Sequence, residues 1–285
     1  MFKIEDYKGL NILNVLDTEA QKGIYQAYWD SMFCNYGNNV EWQKLRNHIY
    51  LCEETKNYIY STPSATKYEQ GKRPILDAVV WKVTKDLATD REKVLALLAF
   101  IRDLYLTHGK HFPFDFYGGT EEMLIEKGEN LCECVSRLMV SLAEVIGIPG
   151  RIICHVVSGH YVCELYIEEK WCYFDPRFGI FYVDADEKFL SVLEIMENRD
   201  IIFEQPQWVK EYVSKQTTYE QRAERNFKLC LNPGEIQTYV NYSLADHKLY
   251  SYNITLGGEP ERNGCREAQA RYGHYRTIVL DERFV

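Results

Sequence analysis

Between Gly128 and Pro176 a cysteine, a histidine and an aspartate follow in chain order: Cys132, His160 and Asp175. A thiol is a modest nucleophile until it ionises, an imidazole can take its proton and return it, and a carboxylate can hold the imidazole in one tautomer. These are the parts of a site in which a thiolate attacks an amide or ester carbonyl, expels an amine or alcohol, and leaves a thioester.

Such a site works only if folding brings the three together, and the intervening sequence says how. After Cys132 the apolar residues Val135, Leu138, Met139, Leu142, Val145 and Ile146 recur every three or four positions, one face of an α-helix. Gly147 and Pro149 stop it, Asn130 is placed to cap it, and Glu133 falls in its first turn. Cys132 therefore lies at a helix N-terminus, where backbone N–H groups and the helix dipole favour a thiolate. The dipole contributes on the order of 0.3–1 kcal/mol. That moves a thiol by less than about one unit from its usual ~8.5, so an imidazolium has to supply any larger shift. The same N–H groups are donors for an oxyanion.

Strands follow. Arg151–Val157 is β-branched and apolar, Ser158-Gly159 turns, His160–Ile167 alternates, Glu168–Lys170 turns again, and Trp171–Phe174 ends at Asp175-Pro176. Alternation puts His160, Val162, Glu164 and Tyr166 on one face and Tyr161, Cys163 and Leu165 on the other. In the hairpin His160 opens one strand and Asp175 closes its neighbour, so the two meet at one end.

On these residues the segment resembles the transglutaminase-like superfamily of papain-type cysteine enzymes. Gly128 is followed closely by Cys132, the helix runs into Gly147-Ile148-Pro149-Gly150-Arg151, His160 opens HYVCELYI, and WCYFDP carries Asp175. Asp90–Leu104 and Thr120–Gly128 look like the entry to the cysteine helix, so the resemblance covers Asp90 to Tyr182. It implies an α+β, papain-like core with a Cys-bearing helix packed on an antiparallel sheet. It also implies roles: Cys132 as nucleophile, His160 as base and acid, Asp175 as orienting group. Three positions depart from the commonest family pattern. The approach from Gly128 to Cys132 is longer, Arg177 follows Asp175-Pro176 where many relatives have a small hydroxyl residue, and Tyr161-Val162 replaces a common Ala-Trp pair. All would line the cleft and bear on substrate class.

Neighbouring residues have plainer readings. Cys134 packs or flanks. Cys132 and Cys134 as a metal pair would need a second Cys pair at zinc-ligand spacing, and there is none. His155 reads as a core or supporting residue, Glu164 equally as a polar group near the site or a solvated strand face, and Arg151 as one half of an ion pair. Tyr117 before Gly118-Gly119 is either an oxyanion donor or a loop aromatic.

At 285 residues the chain can hold one large domain or a core with an appended part. The reading is a helical N-terminal region at 1–88, including Asp17–Cys34 and Trp42–Tyr60, and a catalytic core at 89–184. A C-terminal part at 185–285 completes or covers the core. In it Asp186–Asn198 is helix-like, and Phe227–Leu231, Ile236–Tyr242 and His247–Thr255 read as short strands. The tail from Gly264 to Val285, with His274, either covers the cleft or forms a terminal strand pair.

The net charge of −9 and the lack of a basic block exclude a nucleic-acid binder. No apolar run has the length of a membrane span, and the N-terminus lacks a signal-peptide core. Nine scattered cysteines then fit a reducing cytoplasm. No metal or nucleotide motif is present, so no cofactor is expected. The expected partner is a peptide, amide or small acyl substrate, with any carrier protein unspecified. The function read from all this is cysteine-dependent acyl chemistry, either as an amidase or peptidase or as an amide-forming acyltransferase. The alternatives are an inert binding module on the same fold, or a lyase or isomerase that forms no thioester.

Overall fold

The computed structural model describes residues 48–51, 56–108, 120–128, 131–155, 158–232, 235, 237–245, 251–252 and 278–279. The expected helix at Asp17–Cys34, the Asn130 cap, Tyr117 and His274 lie outside them.

A single helix organises the core. α5 (Cys132–Val145) packs on strands β2 (Gly150–His155) and β3 (His160–Ile167). On its other sides lie α2 (Pro74–Thr84), α3 (Asp90–His108) and α4 (Glu121–Lys127). The sequence reads as a helix with one apolar face, but every residue from Cys134 to Val145 is buried. A helix covered all round has to satisfy its polar side chains internally. Arg137 pairs with Glu121 at 2.7 Å, Ser141 donates to the Arg137 carbonyl at 2.9 Å, and Glu144 accepts from the Ser243 hydroxyl at 2.7 Å. The N-cap is Leu131, which has no side chain able to cap. At the other end Gly147, at φ +82°, closes the helix in the left-handed conformation.

α2 begins with Pro74 at its first turn, where the missing N–H costs nothing. α3 has Asp90 and Glu92 in its first turn and buries Val94, Leu97, Leu98, Ile101 and Leu104, a stripe at helical spacing.

The sheet is antiparallel throughout, in the order β1-β6-β2-β3-β4-β5. β1 is His48–Tyr50, β4 Lys170–Asp175, β5 Ile180–Phe181 and β6 Gln237–Asn241. The fold is thus α+β, a mixture of helices and antiparallel sheet. β1 corrects the helical reading of Trp42–Tyr60. The segment His48–Tyr50 forms an edge strand on β6, and only the short α1 (Lys56–Ile59) is helical nearby. A β-branched Ile49 and an aromatic Tyr50 suit a strand once a partner is available. That partner is β6, so the whole-chain context decides.

Beyond β5 the chain forms α6 (Val192–Glu197), a 3₁₀ turn at Arg199–Phe203, α7 (Gln207–Lys210) and α8 (Tyr219–Arg225). α6 starts later than the expected helix from Asp186. Ser191 and Glu194 form a capping box there, while Phe189 bridges to Val183. The expected strand at Phe227–Leu231 is instead a π-turn, Asn226–Cys230, continuing α8. A helix launched by the Thr218–Gln221 capping box carries these residues on with it. β7 (Ser251–Tyr252) and β8 (Ile278–Val279) form a separate two-stranded ladder.

The turn after β4 is tight. Phe178 and Gly179 both donate to the Asp175 carbonyl, at 3.3 and 3.0 Å, and Gly179 has φ +73°. A Cβ at Gly179 would fall on the Tyr212 carbonyl oxygen and lie 2.7 Å from the Arg102 side chain. Gly179→Ala combines a left-handed alanine with a backbone collision. It is expected to cost at least about 2 kcal/mol, read as a lower midpoint in urea unfolding. A midpoint within error of the parent would show that this turn is not held as described.

Candidate active site

Cys132 is the first residue of α5, His160 the first of β3 and Asp175 the last of β4. The β3–β4 register pairs Cys163 with Phe174, which brings the strand ends carrying His160 and Asp175 side by side. His160 Nε2 lies 2.8 Å from Asp175 Oδ2. The His160 ring is also a hydrogen-bond partner of the Cys132 thiol, and with Nε2 engaged by Asp175, Nδ1 is left to face the sulfur. The structure therefore brings together all three residues singled out in the sequence. All are buried: Cys132 is 4% exposed, His160 3% and Asp175 0%.

The electrostatics follow from the contacts. Burial pushes the Cys132 thiol up. The hydrogen bond and charge of His160, a backbone hydrogen bond from Tyr161 and the Arg177 guanidinium outweigh it and bring the thiol down to about 7. Burial lowers the His160 pKa, Arg222 lowers it further, and Asp175 and Cys132 reverse both, so the imidazole ends above its ordinary value. Asp175 is resisted by burial but held far below the usual carboxylate range by Arg222 and His160. Three other thiols behave differently. Burial drives Cys163 and Cys172 well above the ordinary thiol range and Cys230 to about 11.

Arg222 was not legible as part of this cluster. It comes from α8, is 2% exposed, and its Nη2 contacts both His160 Nε2 and Asp175 Oδ2. Its guanidinium lies over the Phe178 ring at 4.4 Å. A signal did exist: Tyr219, Arg222, Ala223 and Asn226 fall at i, i+3, i+4 and i+7, the buried stripe of a helix. An arginine on such a stripe requires a buried carboxylate opposite it.

The remaining residues fall into place around the cluster. His155 sits directly across from His160 in the β2–β3 register, fully buried, with neither ring nitrogen hydrogen-bonded. Burial first, then the charges of His160 and Arg222, lower it to about 3, so it is neutral at pH 7. Cys134 is buried beside the site. Glu164 is neither solvated nor in contact with His160. It is wholly buried and accepts from Arg151 Nε at 2.9 Å, Tyr60 Oη at 3.0 Å and the Val192 N–H at 2.8 Å. Arg151 is packed among Trp171, Tyr239 and Tyr60, at 4.0, 4.5 and 4.9 Å from the ring centres.

A cavity of about 450 Å³ lined by Arg151, Trp171, Tyr239 and Glu144 is at the far end of α5. At 1.5 Å per residue Glu144 is roughly 18 Å along the helix from Cys132, and Cys132, His160 and Asp175 are not among the residues that line the cavity. Among the described residues no three His, Cys, Asp or Glu side chains are grouped to hold a metal ion, and no helix is long and apolar enough to cross a membrane.

Comparison with known proteins matches residues 77–176 to the family model described as the transglutaminase-like superfamily. The match begins in α2 and ends one residue past Asp175, so it contains Cys132, His160 and Asp175 and leaves out Arg177 and Arg222. No curated protein and no solved structure matches the chain.

Proposed function

We propose that the transglutaminase-like segment at 77–176 carries a papain-like cysteine site, with Cys132 as nucleophile, His160 as acid and base, and Asp175 as orienting group. The observation that supports this most is the continuous chain of hydrogen bonds from the Cys132 thiol through His160 to Asp175, with the thiol brought down to about 7 and the imidazole raised. At neutral pH the pair then shares its proton as thiolate and imidazolium to a substantial extent.

The thiolate attacks an amide or ester carbonyl, forming the C–S bond and placing negative charge on the carbonyl oxygen. The first intrahelical bond of α5 runs from the Val135 N–H to the Leu131 carbonyl, at 2.9 Å. The Cys132 N–H precedes that ladder and is the candidate donor to the oxyanion. Collapse breaks the C–N or C–O bond as His160 gives its proton to the leaving group. Neutral His160 next takes a proton from water or from an amine, which attacks the thioester and frees Cys132. Water makes the enzyme an amidase or peptidase, an amine an acyltransferase. Trapping an acyl–Cys132 adduct separates both from a lyase or isomerase.

Limiting iodoacetamide at pH 7 is expected to label Cys132 before any other thiol, as followed by peptide mass spectrometry. The rate should be half-maximal near pH 7, because that is where the thiol ionises. His160→Ala returns the thiol toward its ordinary value or above and should slow labelling at pH 7 roughly tenfold or more. His155→Ala should act much less. Faster labelling of Cys134, Cys34 or Cys265 rules out the assignment.

A further inference from the structure

Arg177 stands two residues beyond Asp175, in the turn whose Phe178 and Gly179 N–H groups close on the Asp175 carbonyl. It is half-buried, its guanidinium lies 5.2 Å from the Phe178 ring centre, and its Nε is buried with no hydrogen-bond partner. Among the described residues this sets it apart. Arg73, Arg91, Arg102, Arg137, Arg151 and Arg222 each pair with a carboxylate, and Arg199 donates to the Phe227 carbonyl. Arg177 alone of the buried and half-buried arginines described has neither kind of partner.

A guanidinium with one N–H shut away from water and no counter-charge beside it is stabilised by any anion that reaches it. Its position narrows what that is. Asp175 holds His160, His160 holds Cys132, and the Arg177 guanidinium acts electrostatically on the same sulfur. Arg177 follows Asp175 by two residues, just past the end of β4 where Asp175 meets His160, so its unpaired charge lies at the same end of the sheet as the cysteine site. A guanidinium is a planar fork whose geometry matches a carboxylate in a bidentate pair.

Building on the reading of Cys132 as nucleophile, we propose that Arg177 is a specificity-determining residue that binds a carboxylate on the acyl substrate, next to the carbonyl that Cys132 attacks. The preferred substrate is an amide or ester bearing a free carboxylate close to the scissile bond. The whole-molecule charge of −9 repels anions, so any preference for an anionic substrate is local to the site, and the Arg177 variants separate its share from those of His160 and Arg222.

Two alkylating reagents test this directly. Iodoacetate and iodoacetamide differ only in a carboxylate against an amide, and both react by one displacement, in which the thiolate sulfur bonds to the CH₂ carbon and iodide leaves. In the full-length chain the rate of each at Cys132 is measured by peptide mass spectrometry at fixed pH and ionic strength. Both reagents meet the same fraction of thiolate, so the ratio of their rate constants cancels any change in thiol ionisation. Arg177→Gln is expected to lower the iodoacetate-to-iodoacetamide ratio about five- to tenfold, with Arg177→Lys between the two. A ratio within twofold of the parent overturns the proposal, however the absolute rates move.

A second measurement needs no variant. Succinate should protect wild-type Cys132 from iodoacetamide in a saturable way, beyond the effect of chloride at equal ionic strength. Equal protection by chloride overturns the proposal. A wild type whose Cys132 is not the first thiol labelled by iodoacetamide removes the nucleophile assignment itself, and this inference with it.

Discussion

Asp175→Asn is expected to lose both turnover and stability, and the two losses have different origins. The Asp175 carboxylate accepts from His160 and is kept ionised by the charges around it. An amide presenting its NH₂ to Nε2 would force the proton onto Nδ1, the nitrogen facing the thiol, and His160 could no longer act as base toward Cys132. Removing the orienting charge costs on the order of 10⁴ in kcat in such sites. The stability loss arises from Arg222, whose buried guanidinium is paired with the same carboxylate oxygen. Leaving a buried charge without its partner costs about 3–5 kcal/mol, which lowers Tm on the order of 10 °C in a domain of this size. The double variant Asp175→Asn/Arg222→Met should recover much of the Tm and none of the turnover. Kinetics well below each Tm on an amide or ester that the parent cleaves, together with thermal melts, make the test. Near-parental turnover in Asp175→Asn would remove Asp175 from the chemistry and leave a Cys-His pair.

Glu164→Ala is expected to be among the most destabilising single changes away from the cysteine. The Glu164 carboxylate serves Arg151, Tyr60 and the Val192 N–H at the start of α6. Truncation strands the Arg151 guanidinium among three aromatic rings and leaves a space where a wholly buried carboxylate stood. About 3–5 kcal/mol follows from the unpaired charge, visible as a lower urea midpoint. Glu164→Gln keeps the shape and most acceptor capacity and should cost less. A loss under about 1 kcal/mol in the alanine variant would show that Arg151 finds another counter-charge or reaches water.

What was legible in the sequence is what short-range patterning encodes. α5, β3 and β4 each read from their own periodicity, and a turn-linked hairpin fixes where its two ends meet, so His160 and Asp175 could be paired from sequence alone. The family match over 77–176 covers the same stretch. What escaped is long-range. Nothing local to Glu164 names Arg151, a neighbour only across the β2–β3 register. Arg222 reaches the site from a helix 47 residues past Asp175. The strand at His48–Tyr50 forms because β6 offers it an edge. The polar residues of α5 look like a solvated face until α4 and the Ser243–Leu244 segment are known to cover them.

The place of β6 also bears on the order in which the molecule assembles. β2, β3 and β4 are consecutive hairpins and can pair as soon as they are made, together with the helix that carries Cys132. One side of β2 nevertheless waits for β6, some 80 residues further along the chain, and β1 pairs with β6 alone across roughly 190 residues. Contacts of such high sequence separation form slowly, since the loop must close before the contact rewards it. A nascent chain therefore passes through a stage in which the cysteine helix and its hairpins exist while the backbone edge of β2 stands open. Such an edge is a template for another chain. Variants that weaken β6 should thus show their effect first as aggregation during synthesis, before any loss is measurable in the folded protein.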